Sequence, residues 1–212
     1  MSSSREQILG RIRSVLGGIS AQPAALEESF SKEYRYTGTL SAHDRVELFV
    51  DRLRDYDALV HRVSAPDIPM AVARALSGRG KKGLLVPLGI PTDWLPTGYL
   101  FERDTGLSYE EIDGSQGVLT GCAAGIALTG TIVLRHSESE GRRALTLIPD
   151  YHLCVVHEHQ IVETVPEGFQ KIRQYAQSPI TTISGPSATS DIEMTRIKGV
   201  HGPRTLEVIV VA

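Results

Sequence analysis

Residues 180–203 (ITTISGPSATSDIEMTRIKGVHGP) contain the densest run of groups that can bind a ligand. A short apolar strand is predicted over 180–184, and it ends at Gly185-Pro186 before a run of small hydroxyl residues. Loops that follow the strands of an open α/β sheet expose amide hydrogens and hydroxyls, which makes them common ligand sites. A turn and a helix cap would use one or two of these hydroxyls, but not the whole run. We therefore predict ligand contacts from Gly185, Ser187, Thr189 and Ser190.

A second candidate stretch is 117–134 (GVLTGCAAGIALTGTIVL), which has no charged residue. Its glycines disfavour a helix, and its β-branched residues favour buried strands joined by a tight turn or a bulge at 129–131. We interpret its glycines at 121 and 130 as points where the backbone closely approaches another group. A core hairpin with no ligand explains the same pattern equally well. The predicted ligand contacts in this stretch are Thr120, Gly121, Thr129, Gly130 and Thr131.

Both stretches offer more hydrogen-bond donors than acceptors, so the ligand that they predict is an anion, either a small carboxylate or a phosphate. We expect the two stretches to meet in one pocket at the carboxyl edge of the sheet. His152 and His201 are candidate catalytic residues because imidazole exchanges protons near neutral pH, although a structural hydrogen bond explains each histidine as well. Asp191 and Glu193 are candidate acid–base groups, and capping of the following turn is the expected role of Asp191.

The spacing of histidines and cysteines predicts no metal and no bound cofactor in this chain. His157 and His159 share one face of a predicted strand, but no third ligand is placed beside them by spacing. An iron–sulfur cluster usually needs four thiolates, whereas Cys122 and Cys154 are the two cysteines of the chain. Any iron–sulfur cluster that works with this protein is therefore expected on a partner protein. Both cysteines lie in apolar runs, so we interpret them as buried packing residues.

The glycines at 78, 80 and 83 match the pattern G-x-G-x-x-G of dinucleotide-binding proteins. That fingerprint follows a strand and opens a helix. Here the pattern ends a predicted helix and enters a predicted strand, so we expect no nicotinamide or flavin dinucleotide at these residues.

The composition is that of an ordinary globular protein, with 212 residues, 41% hydrophobic and 22% charged. A formal charge of −3 supplies no basic field for nucleic acid or an acidic membrane, so neither is expected as a partner. No run approaches the roughly 18 apolar residues of a membrane span, and the polar N-terminus lacks the pattern of a signal peptide. The expected location is the cytoplasm.

The order of predicted elements indicates an α/β domain. Helical periodicity begins at Ser41 and again near Pro66, whereas residues 89–116 have the composition of a long irregular loop. Alternation of helices with short apolar strands predicts a three-layer α/β fold, a mainly parallel sheet with helices on both faces. The predicted strands lie at 58–63, 83–88, 153–157, 161–164 and 206–211.

Residues 1–40 are predicted to form an N-terminal helix and a flexible connector ahead of an α/β domain at 41–212. Ile8, Ile12 and Val15 fall on one face of this helix, and a helix so short is marginal alone. Its apolar face is therefore expected to dock on the same chain, on a second copy in a homo-oligomer, or on a partner protein.

Four motifs together resemble the LUD-domain family, and within it the LutC/YkgG (lactate utilization protein C) type. They are TGCAAGIALTGTIVL, the Pro149-x-x-His152 pattern, SGPSATSDIE and GVHGP, and the resemblance covers most of the chain. It implies a fold similar to the NagB/RpiA/CoA-transferase group. It also implies that this chain is the non-cluster subunit of a cytoplasmic lactate-oxidation system, lactate to pyruvate, that acts with two iron–sulfur partner proteins.

One position departs from the family pattern, because Leu128 stands where many relatives have an acidic residue. No carboxylate role can be assigned there. This departure weakens one alternative function, a free-standing enzyme of the CoA-transferase or sugar-phosphate isomerase type. A second alternative is a sensor that binds a small anion without catalysis. The main expectation is a subunit of a lactate-oxidising complex that is inactive alone.

Overall fold

The computed structural model describes residues 4–16, 35–175, 178–189, 197–198 and 202–212. The chain divides into two compact units, Met1–Tyr34 and Arg35–Ala212, and the described part of the first is helix α1 (Ser4–Leu16). No helix in the described ranges is long and apolar enough to cross a membrane. The helices of the second unit are α2 (Ala42–Asp55), α3 (Ile68–Gly78), α4 (Tyr109–Asp113) and α5 (Val165–Ile172). Its strands are β1 (Leu59–Val63), β2 (Gly83–Val86), β3 (Leu100–Arg103), β4 (Val118–Thr120), β5 (Ala124–Ile126), β6 (Thr131–Leu134), β7 (Tyr151–His157), β8 (Ile161–Val162), β9 (Thr181–Ile183), β10 (Ala188–Thr189), β11 (Ile197–Lys198) and β12 (Thr205–Val211).

Local sequence signals set the ends of the two long helices. Helix α2 begins where the sequence predicts, because the Ser41 side chain accepts a hydrogen bond from the Asp44 backbone N–H. Helix α3 ends at Gly78, and β2 begins at Gly83, so the glycine pattern enters a strand rather than a helix. The buried face of α2 is formed by Val46, Phe49, Val50 and Leu53.

The larger sheet has six parallel strands in the order β1-β12-β7-β4-β2-β3. The central strands β7 and β12 pair along their whole length, from Tyr151 opposite Thr205 to His157 opposite Val211. Their apolar residues alternate between the two faces and are buried on both. A parallel sheet buried in this way must be covered by other layers on each side.

Two apolar cores enclose this sheet. On one face α3 packs through Ile68, Val72 and Leu76. On the other face α2 packs together with a second sheet, which has four strands in the order β8-β5-β6-β9. Helix α5 covers the far side of the second sheet through Ile172. These layers confirm the predicted three-layer α/β fold with a parallel sheet between helices.

The apolar stretch 117–134 contributes strands to both sheets. Strand β4 lies beside β7 in the larger sheet, while β5 and β6 form an antiparallel hairpin in the second. A 3-10 turn (Ala127–Thr129) and Gly130, whose φ is +57°, connect the hairpin strands, which confirms the predicted tight turn. Glycine is required there because a Cβ would lie 2.8 Å from the Cβ of Arg52.

The segment 89–116 is not the long irregular loop that its composition predicts. It contains β3, which pairs in parallel with β2 at the edge of the larger sheet, and the short helix α4. An edge strand carries a weak apolar signal, and Leu100 in β3 is 78% exposed. Helix α4 has a local signal in the sequence, the capping box formed by Ser108 and Glu111.

Residues 35–40, which the sequence pattern assigns to the connector, are hydrogen-bonded to the α/β unit. The side chain of Glu163 is buried and accepts backbone N–H groups from Thr39 and Leu40, each at 2.6 Å. It also accepts a hydrogen bond from Arg35. The compact unit therefore begins at Arg35.

Candidate functional site

A cavity of about 250 Å³ lies between the second sheet and the amino-terminal ends of β7 and β12. One wall is formed by strand β9 and the turn that follows it, residues 181–187. His152 and Leu206, the second residues of β7 and β12, form another wall. The remaining described lining is contributed by Arg143, Thr146, Gly202 and Pro203.

The position of this cavity differs from the expectation drawn from the sequence. Ligand sites in open α/β sheets usually lie beyond the carboxyl ends of the strands, and the sequence predicts the pocket there. Strands β7 and β12 run parallel, and the cavity contacts both of them near their amino ends. The cavity forms at the amino-terminal edge of the larger sheet because β9 and the turn that follows it cover that edge.

His152 is buried in the cavity wall, with 1% of its surface exposed. Its Nε2 lies 2.8 Å from Oγ1 of Thr120, and the same hydroxyl lies 3.8 Å from Sγ of Cys154. The parallel pairing of β4 with β7 produces this cluster, because it sets Thr120 opposite Cys154. The Nδ1 atom of His152 has no hydrogen-bond partner among the described residues. A buried nitrogen without a partner is unusual, because native structures pair nearly all of their buried polar groups.

Both cysteines are buried and free. The neighbouring Cys122 thiol, together with His152 and Thr120, favours the charged form of Cys154 and lowers the pKa of its thiol against the opposing effect of burial. The same contact with Cys154, together with burial, raises the pKa of Cys122. The two thiols therefore belong to the packed layer behind His152.

Arg143 supplies the positive charge of the described cavity lining. Its Nη1 lies 3.4 Å from Oγ1 of the buried Thr146. Burial and the charge of Arg143 lower the pKa of the nearby His136, which is therefore uncharged at neutral pH. No acidic side chain is present in the described lining. A guanidinium in such surroundings binds carboxylate or phosphate through paired N–H donors.

The turn after β9 presents small residues to the cavity. Gly185 has a φ of +80°, and a Cβ there would lie 2.5 Å from the Cβ of Tyr56, so the turn requires glycine. The Ser187 backbone N–H donates to the Pro203 carbonyl at 2.8 Å and joins this turn to the Gly202-Pro203 segment. The resulting wall is polar and leaves room for a small ligand.

Thr120 and Gly121, two predicted ligand contacts, lie beside the cavity and not in its lining. Thr120 is fully buried behind His152, to which it is hydrogen-bonded. The Gly121 N–H donates to the Ser139 carbonyl at 2.9 Å. Thr120 is thus linked to the cavity wall by its hydrogen bond to His152.

Thr129, Gly130 and Thr131 are also absent from the described lining. The hydroxyls of Thr129 and Thr131 lie 2.7 Å apart, and Thr131 Oγ1 lies 2.8 Å from Oγ of Ser184, a cavity residue. Gly130 packs against the end of α2 at Arg52. This turn therefore contacts the cavity wall from outside.

Among the residues predicted from the second stretch, Gly185 and Ser187 line the cavity. Thr189 lies in β10, which forms a two-stranded antiparallel ladder with β11. The roles predicted for the remaining residues stay predictions, because these residues lie outside the described part of the chain. They are Ser190, Asp191, Glu193 and His201.

Sequence reasoning misses Arg143 and Thr146, since residues 138–143 have the pattern of a charged surface turn. One available signal is that Arg143 immediately precedes the apolar run that leads to His152. An arginine at such a boundary can pack its stem along apolar surface while its guanidinium stays in polar surroundings.

His157 and His159 lie at the carboxyl end of β7, away from the cavity, with ring centroids 5.4 Å apart. Burial and the neighbouring His159 lower the pKa of His157. Within the described residues, no group of three His, Cys, Asp or Glu side chains is arranged to hold a metal ion.

Known proteins share this architecture and sequence. The sequence model of one family, the LUD domain, matches residues 100–211, which include every described residue of the cavity lining. Lactate utilization protein C of Deinococcus radiodurans is 49% identical to this chain over 84% of each protein. The Bacillus subtilis protein of the same name is 28% identical, over 94% of this chain and 92% of its own. A crystal structure of a DUF162 family protein from Deinococcus radiodurans matches with a TM-score of 0.72 and 46% identity, over 82% of this chain and 100% of the other.

Proposed function

Because the chain belongs to the LUD domain family, we propose that it serves in lactate utilization, as the non-cluster subunit of a cytoplasmic system that oxidises lactate to pyruvate. The observation that carries this proposal is the 49% identity, over 84% of both chains, to a lactate utilization protein C. The cavity beside His152 is the site that we assign to the function.

The proposed ligand of this cavity is a small carboxylate, with phosphate as the chemical alternative. A volume of about 250 Å³ accommodates a molecule of a few heavy atoms with ordered water. Arg143 offers paired donors to a carboxylate, and no acid in the described lining opposes an anion. Charge and size therefore both favour an acid of about the dimensions of lactate or pyruvate.

We assign the electron transfer to two iron–sulfur partner proteins. This chain has two cysteines, and both are buried in its own fold, whereas a cluster usually takes four thiolates. In the assembled system this chain binds and orients the carboxylate, and the clusters of the partners carry the electrons.

Reconstitution tests this assignment. The chain would be combined with two iron–sulfur proteins of a lactate-utilization system, and lactate-dependent reduction of an artificial electron acceptor would be measured. We expect activity from the complete mixture and none when this chain is omitted. Arg143→Gln should reduce activity roughly tenfold or more, because it removes a charge-assisted contact. Arg204→Gln is the matched control, since it breaks an exposed ion pair with Asp150.

Two outcomes would contradict the proposal. One is full activity without this chain, and the other is lactate oxidation by this chain alone. If the chain binds a carboxylate but the system works without it, the result would favour a sensor that binds a small anion.

A further inference from the structure

The hydrogen bonds behind His152 determine which of its ring nitrogens carries the hydrogen. Cys154 Sγ lies 3.6 Å from the Gly121 carbonyl, which can only accept, so the thiol hydrogen is directed there. The Thr120 hydroxyl, 3.8 Å from Cys154 Sγ, then donates to the sulfur. Because a threonine hydroxyl has one hydrogen, Thr120 must accept from Nε2 of His152 at 2.8 Å. The same direction holds for an ionised Cys154, since a thiolate only accepts.

In the neutral ring this assignment leaves Nδ1 as a hydrogen-bond acceptor. The residue is 1% exposed, and Nδ1 has no partner among the described residues. Burial of an acceptor without a partner is unfavourable, and native structures rarely leave such groups unsatisfied. His152 lines the cavity, so a ligand there whose O–H group reaches Nδ1 would supply the missing hydrogen.

We propose that Nδ1 of His152 accepts a hydrogen bond from the hydroxyl group of a 2-hydroxy carboxylate, and that Thr120 and Cys154 are positioning residues that fix the tautomer of this histidine. This inference rests on the proposed function, because it takes the cavity as the carboxylate site. Arg143 holds the carboxylate in this arrangement, and His152 Nδ1 distinguishes a hydroxy acid from a keto acid, which lacks the hydrogen. Recognition of the hydroxyl by a buried acceptor is a strong source of specificity, because an analogue without it leaves the acceptor unpaired.

The tautomer of His152 can be measured on the isolated chain by nitrogen NMR of the imidazole side chains at neutral pH. We expect a protonated Nε2 and a bare Nδ1. Thr120→Val keeps the shape of the side chain but removes its hydroxyl, so the preference for this tautomer should be lost. Thr205→Val is the matched control, because Thr205 lies at the start of β12 and is not part of the cavity lining. A wild-type ring protonated at Nδ1, or at both nitrogens, would overturn the inference whatever the reconstituted system does.

Binding of three acids tests the specificity directly, by calorimetry with L-lactate, pyruvate and propanoate. Propanoate has the carboxylate of lactate without its hydroxyl. We expect lactate to bind roughly tenfold more tightly than propanoate or pyruvate, the factor that corresponds to about 1.4 kcal/mol. His152→Phe should bind the three acids with similar affinities, whereas Thr205→Val should keep the preference for lactate. Equal affinities in the wild-type chain would overturn the assignment to His152, and an inactive reconstituted system with the tautomer and selectivity intact would overturn only the proposed function.

Discussion

Thr131 Oγ1 lies 2.8 Å from Ser184 Oγ, and this pair joins the hairpin of the second sheet to the wall of the cavity. The two residues are 53 positions apart in sequence and are brought together by the antiparallel pairing of β6 with β9. The glycine-containing stretch therefore supports the cavity from outside, through the strand that forms its wall.

A double-mutant cycle on this pair should show coupling. Thr131→Val and Ser184→Ala each remove one hydroxyl of a part-buried hydrogen bond. We expect an interaction free energy of about 0.5–1.5 kcal/mol between them, measured by urea unfolding. Strictly additive effects would mean that the two hydroxyls do not bond in the folded protein.

Two glycines with positive φ should respond differently to alanine. A Cβ added at Gly130 (φ +57°) would lie 2.8 Å from the Cβ of Arg52, whereas a Cβ added at Gly98 (φ +87°) would have no described atom within 4 Å. Gly98→Ala should cost about 1–2 kcal/mol from backbone strain alone. Gly130→Ala should cost about 2–4 kcal/mol, because steric overlap adds to the strain. If both variants lost the same free energy of unfolding, measured with urea, Gly130 would not lie in the tight hairpin turn.

Glu207 should make stability depend on pH. It is 3% exposed in β12, and its carboxylate accepts hydrogen bonds from His61 (2.5 Å), Arg79 (2.7 Å) and Tyr151 (3.0 Å). Burial alone would raise the pKa of Glu207, but these three bonds lower it below its ordinary value of 4.5. Its contribution to stability is therefore complete above about pH 4.5 and is lost as the pH falls through the lowered pKa.

Glu207→Gln removes this titration, so it should destabilise the fold by about 1–3 kcal/mol at neutral pH. The difference from the wild type should shrink as the pH falls below the ordinary glutamate value. Urea unfolding at a series of acid pH values measures this difference in free energy of unfolding. Glu47→Gln is the control, since the exposed ion pair of Glu47 with Arg62 contributes little. If the difference in free energy of unfolding between the wild type and Glu207→Gln stayed constant down to strongly acid pH, the charge of Glu207 would not be what stabilises the fold.

Elements with strong local signals could be predicted from the sequence. Helix α2 has both a cap at Ser41 and a complete apolar face, so its start and its buried side follow from the sequence. Strand β3 could not be recognised, because an edge strand with exposed residues such as Leu100 lacks a continuous apolar run. Whether a strand is at the edge depends on tertiary pairing, which no local pattern contains.

The candidate site is less predictable from the sequence, because it depends on the register between strands that are distant in sequence. Loop composition indicates Gly185 and Ser187 as ligand contacts, the motif around His152 indicates the histidine, and all three residues line the cavity. The sequence predicts Thr120 as a ligand contact, but it lies behind His152, since the pairing of β4 with β7 directs its hydroxyl to the histidine. Arg143 was missed, because only the folded chain brings this charged turn beside β9.

Direct titration of the pure chain with L-lactate, followed by backbone amide NMR, tests the central claim that this cavity binds a small carboxylate. We predict saturable shifts of the Gly185 and Gly202 amides, both in the cavity lining. These shifts should disappear in Arg143→Gln and persist in Arg204→Gln, whose ion pair with Asp150 is exposed. Unchanged amides at saturating lactate, or equal shifts in both variants, would contradict the account.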